Sequence, residues 1–292
     1  MPRETETLKL LRTLQGLYKP SSEEAYKLAK IAKLNKLYLA YLRRVGDSLG
    51  SELIREEAKY RWFMRNAIEV VEVLESVGAT YALYKFRRPF EHVSVDLDIL
   101  VGVDDIPKAV KALIHRGFKV AVSEPYTITL ARDGFIVDLY TNPSFMWVVY
   151  MNGGKLIREH AEDIELNGIT ARALSREAEV VVAAAHAAYK EHIVLLMDCL
   201  VAWSWMNKRA WDIAVEHGVE EALEALLEAC SLVRRGLVEA PYRLKSHVLF
   251  KAYTHKALHD PVFRSTLLNT LRYLARRDLG LRVSTRLTRR GY

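Results

Sequence analysis

The apolar residues of this chain change their period twice. From Leu8, Leu11, Leu14 and Leu17 to about residue 77 they recur at helical spacing. Between about 80 and 140 they fall into short β-prone runs, and from Ser175 onward the helical period returns. A chain patterned this way has one modest sheet, and the helices before and after it must cover that sheet. The expectation is an α+β fold, a small mixed β-sheet core flanked by N-terminal and C-terminal helical regions, divided at 1–50, 51–175 and 176–292. Glu23 to about Arg44 and Ile54 to Val77 read as helices, with Gly78 as the C-cap of the second. The runs 80–85, 93–103, 118–122, 127–131 and 135–140 read as strands, with a helix over 105–115 between them. Asp133-Gly134 and Asn167-Gly168 read as hairpin turns. Beyond them, helices are expected over 178–205, 208–216 and 220–235, with a last pair near 241–277.

Charge separates the ends from the middle. Residues 272–292 carry seven Arg and one Asp, residues 1–60 carry 12 basic and 8 acidic residues, and the rest is slightly acidic, for a net +7. The terminal arginines Arg282, Arg286, Arg289 and Arg290 suit contact with the phosphates of a nucleic acid, or equally a solvated tail. No apolar stretch approaches the roughly 18 residues a membrane span needs, and Met1–Glu6 lacks the pattern of a signal peptide. Two cysteines, Cys199 and Cys230, are too few for a disulfide framework or a cysteine zinc site, so a cytoplasmic protein is expected. A single glutamine, Gln15, amid abundant Glu, Lys and Arg suggests a thermophilic source.

The chemistry lies in Val95-Asp96-Leu97-Asp98-Ile99-Leu100-Val101. Side chains alternate on a strand, so Asp96 and Asp98 share a face while Val95, Leu97 and Ile99 point to the core. Two aspartates on one face repel unless a cation lies between them. Asp138, in Phe135-Ile136-Val137-Asp138-Leu139-Tyr140, supplies a third carboxylate if its strand pairs beside the first. Three carboxylates suit hard divalent ions, and two Mg²⁺ about 3.5–4 Å apart make the clamp used for displacement at phosphorus. Taken alone, Asp-x-Asp also reads as the acidic outer face of an amphipathic strand.

The order strand, loop, Asp-x-Asp strand, helix and further strand aspartate resembles the DNA polymerase β-type nucleotidyltransferase superfamily. Tyr84-Lys85-Phe86-Arg87-Arg88-Pro89-Phe90 followed by Asp96-Leu97-Asp98, and later His186-Ala-Ala-Tyr189-Lys190-Glu191-His192 then Asp198, are similar to its uncharacterised archaeal branch, over roughly residues 55–200. The resemblance implies a nucleotidyltransferase core and transfer of a nucleoside monophosphate from a nucleoside triphosphate such as ATP to a hydroxyl. Asp96, Asp98 and Asp138 would then be both catalytic and metal-binding, with two Mg²⁺ or alternatively Mn²⁺. It also implies a helix with Lys190 and His186 toward the nucleotide. Superfamily members carry Gly-Ser or Gly-Gly before the aspartates, whereas this chain has Lys85-Phe86 and no glycine between Gly78 and Gly102. Either Lys85 and Arg88 replace that phosphate cradle with side-chain charge, or the nucleotide site is lost and the protein binds nucleotide, RNA or a partner protein without catalysis. The basic ends favour an RNA or tRNA terminus as acceptor, with a small molecule or protein as the other options. No membrane partner is expected, and the oligomeric state is not legible.

Overall fold

The computed structural model describes residues 4–46 and 49–275. Four helices lead: α1 (Glu6–Leu14), α2 (Ser22–Leu34), α3 (Tyr38–Val45) and α4 (Gly50–Ser76). The break before α2 is fixed by its sequence: Ser21 accepts from the Glu24 amide while the Glu24 carboxylate accepts from the Ser21 amide, a reciprocal cap.

The sheet follows, with β1 (Tyr81–Leu83), β2 (Asp96–Val101), β3 (Lys119–Glu124), β4 (Thr127–Arg132), β5 (Phe135–Tyr140), β6 (Ala161–Leu166) and β7 (Ile169–Leu174). Helix α5 (Ile106–His115) lies between β2 and β3, and α6 (Gly153–His160) precedes β6. The seven strands run in the order β3-β4-β5-β2-β1-β7-β6. β2 is parallel to β5 and β1 to β7, and the remaining neighbours are antiparallel. The sheet is therefore mixed, as the sequence predicts. Asp133 and Gly134 both have positive φ, as do Asn167 and Gly168, which gives each hairpin the turn twist its strands require.

Period-2 alternation sends the two sides of the sheet to different partners. Leu83 of β1, Leu97, Ile99 and Val101 of β2, and Val137 and Leu139 of β5 pack with Phe63, Ala67, Val70 and Leu74 of α4 and Ala109 and Leu113 of α5. The opposite side carries Ala82, Tyr84, Leu100 and Tyr140, which join the helical core. Val95 lies ahead of β2 and is 80% exposed, so it does not share the buried role expected for it beside Leu97 and Ile99.

That helical core is built from α1–α3 together with α7 (Arg176–His186), α8 (Leu196–Trp205), α9 (Lys208–Glu216), α10 (Glu220–Arg234) and α11 (Ser246–His259). Two short helices, α12 (Pro261–Thr266) and α13 (Asn269–Ala275), close the described chain. The N-terminal helices are tied to the C-terminal ones by buried polar contacts. Asn35 donates to the Ala240 carbonyl at 2.9 Å and accepts from the Leu196 amide at 2.8 Å.

The continuous helix expected over 178–205 is broken. A π-turn spans Ala187–Glu191, His192 adopts a left-handed conformation, and Ile193–Val194 form a strand pair with Tyr242–Arg243 before α8 begins. The segments on either side, Val180–Ala185 and Ile193–Met197, are wholly apolar and buried, so hydrophobic periodicity across them does not register the interruption. Cys199 of α8 and Cys230 of α10 are buried and joined by a disulfide with S–S 2.13 Å. The cysteine count therefore no longer argues for a reducing compartment. Among the described residues, no helix is long and apolar enough to cross a membrane.

Candidate active site

β2 and β5 are direct parallel neighbours, with Asp98 opposite Asp138 and Asp96 opposite Ile136. The pairing aims all three aspartates to the side of the sheet facing the helical core, and a carboxylate oxygen from each lies within 4.8 Å of the others. Each acid has different support. Ser94 Oγ donates to Asp96 Oδ1 at 3.3 Å. Thr129 on β4 donates to Asp138 Oδ1 at 2.5 Å, and the Tyr140 hydroxyl donates to Asp138 Oδ2 at 3.3 Å. Asp98 is only 7% exposed, and its Oδ2 meets the Lys85 ammonium at 2.8 Å. Its Oδ1 is buried with no hydrogen-bond partner.

That orphaned oxygen tests whether a cation fits. A buried acceptor without a donor is costly, and a carboxylate oxygen among two other carboxylates cannot be satisfied by a further acceptor. A divalent ion with oxygen ligands satisfies it, so the residues present fit such an ion. Burial raises the Asp138 pKa above the usual carboxylate value. The Thr129 hydroxyl and Lys190 oppose that rise, while Asp98 and Asp96 add to it.

Lys85 follows β1 with φ 57°, a left-handed conformation that an L-residue other than glycine adopts at a cost. The chain thus makes a left-handed turn here without glycine. Two contacts hold it there. The Lys85 ammonium pairs with Asp98 and lies 4.9 Å from the Tyr84 ring centroid and 5.7 Å from that of Tyr140. Burial disfavours its charge, but Asp98 and Asp96 outweigh that and raise its pKa, so it stays protonated. Just beyond it, the fully buried Glu179 of α7 accepts from the Phe86 amide at 2.9 Å and the Arg87 amide at 3.4 Å. Arg88 Nη1 is 3.3 Å from the other oxygen of Glu179, and Arg87 pairs with Glu162. The Phe86 and Arg87 amides are therefore already engaged by an internal carboxylate and are not free to contact a phosphate.

The π-turn divides the residues of the following helix. Lys190 reaches the sheet, 5.9 Å from the Tyr140 ring centroid. Tyr189 turns into the helical core, donates to the Ala252 carbonyl and stacks on Tyr150. His186 is 3.7 Å from Glu191, and burial together with Lys85, Lys190, Lys36 and Arg88 drives its pKa well below 6.5. It is a neutral ring, and the π-turn sends Tyr189 and Lys190 to different partners. Asp198 caps α8, accepting from the Leu195 amide at 2.9 Å.

Two cavities flank the aspartates. One of about 300 Å³ is lined by Lys85, Arg87, Arg88, Asp96 and Asp98, with Phe86 and Phe90. The other, about 180 Å³, is lined by Asp138, Thr129, Tyr140, Lys190, Trp147 and Tyr273. Sequence reasoning singles out Asp96, Asp98, Asp138, Lys85, Arg88 and Lys190, all of which line one of these cavities; His186 lines neither. Arg282, Arg286, Arg289 and Arg290 lie outside the described residues. Sequence reasoning misses Glu179, Thr129 and Tyr140. Glu179 had a signal: one acid inside Ala178–Ala185, an otherwise apolar run, has to find a buried cation.

A sequence profile of a family described as "uncharacterised nucleotidyltransferase" matches residues 78–234, more than half of the chain. No curated protein matches. Among solved structures, the chain is similar to the lincosamide antibiotic adenylyltransferase LnuA in its lincomycin-bound form, at 16% identity and TM-score 0.31, covering 40% of this chain and 83% of that one. It is also similar to the antibiotic-resistance factor ANT(2'')-Ia, in a solution structure at 13% identity and TM-score 0.34, covering 60% of this chain and 94% of that one. A crystal structure of ANT(2'')-Ia with adenylyl-2''-tobramycin aligns at 11% identity and TM-score 0.34, covering 60% and 98%.

Proposed function

Because the chain belongs to the uncharacterised nucleotidyltransferase family, we propose that it moves a nucleoside monophosphate from a nucleoside triphosphate to an acceptor hydroxyl, using Mg²⁺ held by Asp96, Asp98 and Asp138. The observation that carries this reading is the β2–β5 register. It brings a buried, partnerless oxygen of Asp98 together with two other carboxylates on rigid strands. When bound, the ion offsets the triphosphate charge and lowers the pKa of the acceptor hydroxyl. The chain's own residues divide the remaining work. Lys85 and Arg88, on the larger cavity, and Lys190, across the Tyr140 ring, offset the charge that passes to pyrophosphate as the bond from the α-phosphorus breaks. Asp138, on the smaller cavity with Thr129 and Tyr140 fixing its carboxylate, faces the acceptor and takes the hydroxyl proton as the new oxygen–phosphorus bond forms. The terminal ribose of an RNA or tRNA is the favoured acceptor, on the charge of the chain ends.

The test is incubation with each α-labelled triphosphate and Mg²⁺ in the presence of cellular RNA, protein or small-molecule extract. Label is expected in one acceptor pool, with transfer to RNA falling steeply as salt rises. A second reading, binding without catalysis, is favoured by Glu179, whose carboxylate holds the loop amides that would otherwise contact phosphate. Absence of label in every pool, together with no metal-dependent triphosphate binding by calorimetry, would rule out transfer.

Lys85 gives a sharper check, because its charge sits where it opposes the ion. Two unit charges about 4 Å apart interact by roughly 4 kcal/mol at an effective dielectric near 20, so even a screened remnant is measurable. Lys85→Met is expected to bind Mn²⁺ about tenfold more tightly, read by electron paramagnetic resonance titration, while transferring nucleotide more slowly. Unchanged metal affinity would mean that the Lys85–Asp98 pair and the ion do not share one site.

A further inference from the structure

Away from the cleft, two Glu-His dipeptides sit at the ends of two helices and meet. Glu159-His160 ends α6, and Glu216-His217 ends α9, with His217 as its C-cap. One ligand atom from each of Glu159, His160 and Glu216 lies within 4.8 Å of the others. The imidazoles are deeply placed, His160 at 7% and His217 at 6% exposure, with ring centroids 5.8 Å apart. Both ring nitrogens of His160 and Nε2 of His217 are buried without a hydrogen-bond partner. Three unsatisfied imidazole nitrogens in one place are unusual, since buried polar atoms nearly always find partners.

The spacing indicates what is missing. His160 Nε2 and Glu216 Oε2 are 3.2 Å apart, yet they do not form a hydrogen bond. Two donor atoms sharing one tetrahedral ion with bonds near 2.0–2.1 Å stand about 3.3 Å from each other. Lys155 holds the other oxygen of Glu216 at 2.5 Å, which orients the carboxylate and leaves Oε2 turned to the imidazole. Both helices present their C-terminal, partially negative ends to this point, which favours a cation. A cavity of about 430 Å³ lined by Lys155, Glu216 and His217 adjoins the Glu216 side of the cluster. The donor set also separates this place from the cleft. Three aspartates suit a hard ion such as Mg²⁺, whereas imidazole nitrogen with carboxylate suits zinc and its neighbours.

We propose that Glu159, His160 and Glu216 bind a zinc-class divalent cation, with His217 packed alongside, clasping α6 to α9. The ion would join the helix leading into the sheet's β6 edge to the C-terminal helical core.

The experiment uses the full chain, stripped with a chelator and titrated with Co²⁺ as a coloured stand-in for zinc. One equivalent is expected to bind with the visible absorption of a four-coordinate centre. Zn²⁺ should displace it and Mg²⁺ should not, and Zn²⁺ should raise the melting temperature. His160→Gln is expected to weaken Co²⁺ binding by at least about 100-fold. Glu159→Gln, at an exposed position that cannot endanger folding, is expected to weaken it in the same direction. Asp98→Asn should leave the coloured site unchanged, which separates it from the cleft. Failure of the wild-type chain to take up Co²⁺ or Zn²⁺ overturns the proposal. So does unaltered binding in both the His160 and Glu159 variants, or loss of the coloured site in Asp98→Asn.

Discussion

Asp138→Asn is expected to lower nucleotidyl transfer by about 10³-fold or more while the metal-free protein becomes no less stable, and Asp98→Asn to be equally inactive but less stable. The contrast follows from their partners. Asp138 has hydroxyls from Thr129 and Tyr140 but no cation in direct contact among its described pairings, and it is pressed against Asp96 and Asp98. Asparagine there keeps an acceptor for Thr129 and removes one of three mutually repelling charges. Asp98 is the partner of the Lys85 ammonium at 2.8 Å, so neutralising it strands a cation in a poorly hydrated place. Transfer assays with saturating Mg²⁺ and melting curves in chelator read both halves. Activity in Asp138→Asn within a few-fold of wild type would remove the third carboxylate from the mechanism, whatever the register of β2 and β5.

Much of this was legible because the strands obey period 2. Phe135–Tyr140 and the helix Lys208–Glu216 have the same limits in sequence and in structure, since each alternation or stripe is bounded by unambiguous turn residues. The carboxylate trio was legible for the same reason: aspartate is so poorly suited to a buried strand that three of them demand an explanation. Two kinds of feature left no pattern. Val180–Ala185 and Ile193–Met197 are apolar throughout, and segments buried on all sides carry no stripe by which to locate the π-turn at Ala187–Glu191 between them. The loop at Lys85 has the opposite problem. Its left-handed turn normally announces itself with glycine, and here long-range contacts to Asp98 and Glu179 impose it on a lysine. Local propensity was overruled by tertiary structure, and the residue that overruled it lies more than 90 positions away.

That residue supplies the largest expected effect on stability. Glu179→Ala is expected to cost about 3–5 kcal/mol, the usual penalty for removing one partner of a buried ion pair. The carboxylate is fully buried and serves three donors at once: the Phe86 and Arg87 amides and the Arg88 guanidinium. Burial raises its pKa, against the opposing pull of Arg88 and the two amides, so the ionised form is held at a cost and not a gain. The sign matters for pH. A carboxyl whose folded pKa lies above its unfolded value gives its full stability below the unfolded value and loses it as pH rises through the folded one. Glu179→Gln should therefore lose less than Glu179→Ala, because the amide oxygen still accepts from the backbone. Its deficit relative to wild type should also shrink as the pH is raised from acid toward neutrality. Denaturant midpoints for both variants across that range give the comparison. The loop carries Lys85 toward Asp98, so Glu179→Ala should also slow transfer at temperatures where the protein remains folded. An alanine variant as stable as wild type would mean that the loop holds its left-handed turn without its anchor, and Lys85 would then owe its place to Asp98 alone.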